Sequence, residues 1–316
     1  MPRSGVIPFL AACGLCGAAM ARQGSPGQTS PPPEPRADEP AANAAISLSL
    51  EQHFSGTFTS ADGGLDTTRL RASVELFLPV GKEDKLNLGW MGEYNLYNFD
   101  PGPSTSGNTM GEPWGDLSGL RLSVRYYHAI NEHWTAYAGG GVETLAEVGA
   151  KLTDAIDSTA IVGGQYAFTK DFSVGLALLG KSELEQGWTA FPLPSFDWRI
   201  DKNWSVGTIF SRGPGLGVEY QTDDQQFTLS LRCRYETRDA RLASDNAGAP
   251  GGVAIDRRVP LLFTLDWNMD HAVSVSATAG VDLWGRIKLE DSGGGALRQS
   301  EINPTPFLGV SLSLRY

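Results

Sequence analysis

An all-β chain, closed into an antiparallel up-and-down transmembrane β-barrel of about fourteen strands, with twelve as the smaller count, is the fold that the 316-residue sequence predicts. Apolar side chains recur at every second position from Ile46 to Tyr316, which is the strand period, and almost nowhere at helical spacing. Many of these segments run to about ten residues, close to the span of a tilted strand crossing a bilayer and longer than soluble strands usually are. The connections alternate between short polar turns and longer segments rich in Gly, Pro, Ser and Asp.

Composition agrees with this class and removes others. Charged residues make up 19% of the chain, against the roughly 25% usual in soluble domains, while 38 glycines and 9% aromatic residues favour sheet. The net charge of −11, with no clustered basic surface, argues against a nucleic-acid partner, because neutralising phosphates takes grouped Lys and Arg. Beyond the N-terminal segment no run approaches roughly 18 uninterrupted apolar residues, so no transmembrane helix is available.

Residues 1–21, MPRSGVIPFLAACGLCGAAMA, have the form of a secretory signal peptide. Arg3 begins it, an apolar stretch runs from Val6 to about Ala19, and Ala19-Met20-Ala21 supplies a small-x-small cleavage site. Leu10-Ala11-Ala12-Cys13 resembles the lipobox of bacterial lipoproteins and offers a second processing point, with Cys13 acylated. Cleavage after Ala21 removes Cys13 and Cys16 and leaves Cys233 alone, which precludes an internal disulfide. Residues 22–44, rich in Pro, Ser, Gly and charge, read as a disordered periplasmic tether, and the barrel occupies 45–316.

Along the first strand Ile46, Leu48, Leu50, Phe54 and Phe58 share one face, and Ser47, Ser49, Glu51, His53 and Ser55 share the other. The second sets Leu70, Ala72, Val74, Leu76 and Leu78 against Arg69, Arg71, Ser73 and Glu75. The same count gives strands near 85–98, 117–129, 134–146, 157–168, 172–181, 191–200, 204–211, 215–222, 226–236, 258–267, 272–284 and 304–316. Short turns fall at 79–84, 130–133, 169–171, 201–203, 222–225 and 268–271, and long connections at 99–116, 147–156, 182–190, 237–257 and 285–303. In hydrocarbon a sheet must close on itself to pair its backbone, and an even strand count puts both chain ends on the periplasmic side. A soluble sandwich or propeller shares the alternation and is the competing fold.

One phrase recurs at the short turns: FTKDFSVGL at 168–176, IDKNWSVGT at 200–208 and, more loosely, INEHWTAYA at 130–138. Each holds a strand end, a polar turn and the next strand's start. Trp134, Phe168, Phe172 and Trp204 fall where an aromatic belt meets the membrane interface, and Lys170 and Lys202 project into water or headgroups.

The chain ends PFLGVSLSLRY, with Leu308, Val310, Leu312, Leu314 and Tyr316 on one face. Over roughly residues 45–316 the sequence thereby resembles the bacterial outer-membrane β-barrel superfamily, whose last strand typically ends on an aromatic residue, most often Phe. Within that superfamily it looks most like porin-like barrels of unknown function. The resemblance implies outer-membrane residence, contact with outer-membrane lipid, and recognition of the strand ending at Tyr316 by the barrel-assembly machinery. It names no substrate and implies no cofactor.

With the apolar face toward lipid, function is sought on the polar, lumen-facing side. Arg71, Glu93 and Arg121 stand at similar heights above the short turns on three consecutive strands, with Arg125 nearby, and are expected to form a charged row. Arg232 and Arg234, with Asp266 and Asp282, make a second cluster. Opposed charges of this kind set solute preference at a pore constriction, and they equally serve to pair off in a polar interior. The expected function is a passive pore or a solute transporter of unassigned substrate. A closed structural or surface-interaction barrel is the alternative, and a barrel enzyme acting on lipid ranks behind both. None of His53, His128, His133 and His271 has a Ser or Cys nucleophile and an acid at motif spacing, and no CxxC or HExxH suggests a metal, so no catalytic or metal-ligating residues are assigned.

Overall fold

The computed structural model describes residues 43–80, 84–100, 111–185, 187–210, 212–270 and 272–316. The predicted signal, the predicted tether up to residue 42, and His271 lie outside the described residues. The first strand already begins at Asn43, because Ala44 exchanges both backbone hydrogen bonds with Tyr316, at 3.0 and 2.9 Å.

Sixteen strands follow one another: β1 (Asn43–Thr57), β2 (Gly64–Val80), β3 (Asp84–Asp100), β4 (Leu117–Ala129), β5 (Trp134–Glu147), β6 (Ile156–Thr169), β7 (Phe172–Glu183), β8 (Gly187–Arg199), β9 (Trp204–Ile209), β10 (Gly215–Gln221), β11 (Phe227–Arg234), β12 (Glu236–Arg241), β13 (Val253–Asn268), β14 (Val273–Glu290), β15 (Ala296–Ile302) and β16 (Thr305–Arg315). Fourteen of them form one closed antiparallel ring: β1 to β11 in order, then β13, β14, β16 and back to β1. The closing seam runs from Ala45 opposite Arg315 to His53 opposite Phe307. Alternation decides the faces. Leu48, Leu70, Leu122, Val162, Leu176, Phe263 and Val310 all point outward, Leu176 being 61% exposed, which is the inverse of a soluble barrel. At the short-turn end Trp134 packs on Tyr166, Tyr166 on Phe168, Phe168 on Phe172 and Phe172 on Trp198, a continuous aromatic girdle.

Three predicted connections are sheet. In place of a loop at 182–190, β7 runs to Glu183 and β8 starts at Gly187. The predicted loop 237–257 contains β12 from its second residue on and the first five residues of β13, and 285–303 contains the end of β14 and all of β15. These segments kept the strand period but lack a continuous outward oily face, and their larger apolar groups, Leu242, Val253, Ile255, Ile287, Leu289 and Ile302, are buried inward among paired charges. The β14–β15 turn is held by Asp291, which accepts from the amides of Gly295 and Gly293 at 2.8 Å each, and these bonds lower its carboxyl below the usual range.

A line of ladder breaks crosses four neighbouring strands at one height: Tyr235 between β11 and β12, a bulge at Val259 and Pro260 in β13, the extra residue Leu283 opposite it in β14, and Asn303-Pro304 between β15 and β16. At its edge Gly213, at φ 139°, lies against the Tyr235 carbonyl where a side chain would clash. Beyond this line β12 and the adjoining parts of β13, β14 and β15 leave the course of the wall. Arg241 at the end of β12 pairs in parallel with Ala146 at the top of β5, a position that β6 vacates above Ile156. On the far side Ile302 bridges to Phe58. The loop end is therefore a smaller ring of β1–β5 with β12–β15, from which β6–β10 are excluded.

Candidate functional site: the lumen

A ring of about eight strands leaves an interior that side chains can fill, and the nine-strand loop end obeys that rule. Its interior is apolar: Phe58, Leu65, Tyr97, Phe99, Trp114, Leu117, Leu145, Leu242, Ile287, Leu289 and Ile302 form one buried cluster. Trp114 is 1% exposed and meets Phe99 and Tyr97 edge-on at ring separations of 5.1 and 5.7 Å. The nine-strand ring is filled by these packed side chains.

Immediately toward the turn end lies a buried layer of charge. Arg69 on β2 reaches across the lumen to Asp256 on β13 at 3.0 Å and to Glu236 on β12 at 3.6 Å. Arg258 donates to Asp256 and Asp282, both at 2.9 Å, and to the Thr67 hydroxyl at 3.1 Å. Glu236 also receives Arg234 at 2.6 Å and Arg238 at 2.9 Å. Glu51 binds Arg71 at 3.2 Å and Arg212, from the β9–β10 turn on the opposite wall, at 2.6 Å. His53, 2% exposed, is stacked on Phe307 at 4.6 Å, with Nδ1 on Asp282 at 2.8 Å and Nε2 on Arg69 at 3.2 Å. An arginine has no acceptor to offer, so Nε2 accepts, and Nδ1–H donates to Asp282. His53 is thus a joint in an ion network. Five carboxylates (Glu51, Glu93, Glu236, Asp256, Asp282) face six guanidiniums (Arg69, Arg71, Arg212, Arg234, Arg238, Arg258), which leaves the layer close to neutral.

The eight candidate residues divide between two environments. Arg71 and Glu93 stand directly opposite one another and pair at 3.1 Å, while Arg234 and Asp282 belong to the buried layer just described. Arg121 sits opposite Met91, one rung from Glu93, and bonds Glu143 across the next seam at 2.6 Å. The expected three-strand row is therefore two separate pairs. Arg121 keeps 41% of its side chain exposed, Arg125 contacts the Tyr127 hydroxyl at 3.3 Å, Arg232 meets Glu219 at 3.5 Å and Asp266 bonds the Ser276 hydroxyl. Arg232, Arg234, Asp266 and Asp282 do not pair with one another. Arg238, Asp256 and Arg258 were missed because they fell in or beside a segment read as a loop. The signals that mark them are the alternation of Glu236, Arg238 and Ala240 against Thr237, Asp239 and Arg241, and that of Ala254, Asp256 and Arg258 against Val253, Ile255 and Arg257.

The outer face of β12 looks into the remaining, wider part of the lumen, where Asp239 holds Lys181 of β7 at 3.1 Å. There the wall of β4–β8 carries a second apolar cluster of Tyr127, Tyr137, Ala177 and Leu193, flanked by Ile161, Leu179 and Phe210. Among the described residues no group of three or more His, Cys, Asp or Glu is arranged to hold a metal ion, and no helix is long and apolar enough to cross a membrane.

No family model matches the chain, and no curated protein matches it in sequence. Among solved structures it is similar to the toluene transporter TodX of Pseudomonas putida, at 8% identity and a TM-score of 0.46 over 87% of this chain and 89% of that one. An outer-membrane channel from Pseudomonas putida F1 gives 9% identity and 0.45 over 92% and 100%. The KdgM porin, solved with a disordered oligogalacturonate, gives 12% and 0.33 over 84% and 97%.

Proposed function

We propose that the chain is an outer-membrane channel or transporter that passes small solutes passively, of unassigned substrate, with its loop end closed at rest. The observation that carries this is the inversion of the barrel: the ring has fourteen strands and is apolar outside, a strand number that can enclose a channel, and below the ion layer the inward-facing Arg121 keeps 41% of its side chain exposed. Arg121 and Arg125 face the lumen there and supply the charge a passing ion meets first, whereas Arg71, Glu93, Arg234 and Asp282 are committed to the closure. Export by the segment at 1–21, a periplasmic tether at 22–42, shortened by the start of β1 at Asn43, and assembly through β16 and Tyr316 belong to the same proposal. No catalytic step is proposed, since His53 spends both ring nitrogens within the ion network.

Purified protein in a planar bilayer tests this reading. Stepwise conductance is expected, with charge reversal at Arg121 and Arg125 (R121E/R125E) moving the reversal potential under a salt gradient toward cation preference. A silent wild type, together with a silent variant in which the closure is loosened, sinks it. The second reading, a closed structural barrel, is favoured by the unbroken packing around Trp114, and that same silence would support it.

A further inference from the structure

Thirteen of the fourteen seams in the wall are zipped over six or more residue pairs, and the β8–β9 seam is zipped over three: Asp197 with Gly207, Trp198 with Val206 and Arg199 with Ser205. Above it the Thr208 hydroxyl substitutes for a backbone partner, lying 3.2 Å from the Phe196 amide and 3.3 Å from its carbonyl. From Gly187 to Ser195 no described backbone hydrogen bond joins β8 to β9, although the β7 side of β8 is paired throughout.

The sequence prepares this free edge. Backbone groups of alternate β8 residues point to opposite neighbours, and Trp188, Ala190, Pro192 and Pro194 face the open side. Proline has no N–H, so two of the four donors that would be stranded in hydrocarbon do not exist. A strand meant to be zipped on both edges would not carry Pro at two alternate positions.

Behind the opening, the register lines up two apolar rows on the lumen face. One runs Tyr127, Tyr137, Gly163, Ala177, Leu193, and the next Gly139, Ile161, Leu179, Phe191, with the Tyr137 ring lying over Gly163. Both rows end at the unzipped edge, and neither carries a charge between β5 and β8. The lumen of a hydrophilic pore has no need of such a surface, and the opposite wall of this lumen is densely charged.

We infer that these rows bind a small, uncharged, largely apolar molecule and pass it through the β8–β9 gap between the lumen and the bilayer. The inference rests on the channel reading and deepens it by naming the solute class and the route. Cells in which Cys13, Cys16 and Cys233 are replaced by serine, expressing the full chain, are given the uncharged fluorescent probe N-phenyl-1-naphthylamine, and its entry across the outer membrane is timed.

Faster entry than in cells lacking the protein is expected. Leu193→Glu or Ile161→Glu should return the rate to that of those cells, with correct assembly read from heat-modifiable migration on gels. Adding S195C and I209C and bridging them with a bismaleimide should slow the probe equally. Entry that is unaffected by the bridge and by both glutamates, or no faster in wild type than without the protein, overturns the inference. Intact conductance in a planar bilayer then shows that the channel reading survives, and its loss that both fail.

Discussion

Arg69 is 1% exposed, yet its guanidinium spans the lumen to carboxylates on two other strands and donates to a histidine. Such a group is inserted in a dry interior only because each charge beside it is answered. Removing one member strands the others, and the cost is that of uncompensated buried charge, about 3–5 kcal/mol. Arg69→Met is therefore expected to lower the unfolding free energy of the detergent-folded barrel by that order, followed by denaturant titration of the folded band on gels. Lys202 in the β8–β9 turn and Asp223 in the β10–β11 turn, paired at 2.8 Å, are both open to water, and Lys202→Ala should leave the midpoint where it is. Equal losses from the two variants would mean that the buried layer is not the joint described above.

At the scale of elements, strands that cross lipid were legible and strands that leave it were not. β4 and β5 match their predicted spans to within a residue, since each presents an oily face every second position between polar turns. β12, β15 and the first part of β13 have the same period, but charged and small residues interrupt both faces, apolar groups such as Ile255 and Ile302 standing singly among them, and a reading keyed to hydrophobicity takes them for loop. The same limit applies within the lumen. Arg71 beside Glu93 follows from counting residues away from a turn, whereas Arg69 with Asp256 depends on an inward fold that begins at Tyr235 and Pro260, and Arg212 with Glu51 on a contact across the ring from the β9–β10 turn to β1. The phrase FPLPSF in β8 has the period of an ordinary strand, but its alternate prolines point to an unpaired edge. Replacing both prolines with Thr restores two N–H groups that face the gap without partners, at about 1–3 kcal/mol each. P192T/P194T is expected to be less stable than wild type by that order in the same titration. A gain in stability would mean that the seam closes as an ordinary ladder once donors are available.

For the whole molecule the decisive relation is between two rings of different size stacked on one axis: fourteen strands at the turn end, wide enough to conduct, and nine at the loop end, narrow enough to fill. The strands that make the difference hinge on one line of bulges and are held in place by the cluster around Trp114 and by the ion layer. Any open state has to undo at least the first of these, so it exposes Trp114, while the closed state buries it. A truncation there acts on the closed state alone. Trp114→Ala leaves a cavity costing about 3–5 kcal/mol, and because each 1.4 kcal/mol is roughly tenfold in an equilibrium, the open fraction rises on the order of a hundredfold or more. Single-channel recording at fixed voltage should then register longer and more frequent openings with unchanged unit conductance, since the wide ring below is untouched. Trp204→Phe, at the aromatic girdle, is the matched control and should alter neither. If Trp114→Ala loses stability as expected but opens no more often than wild type, the nine-strand ring is a permanent cap, and solutes reach the lumen only from the turn end and through the wall.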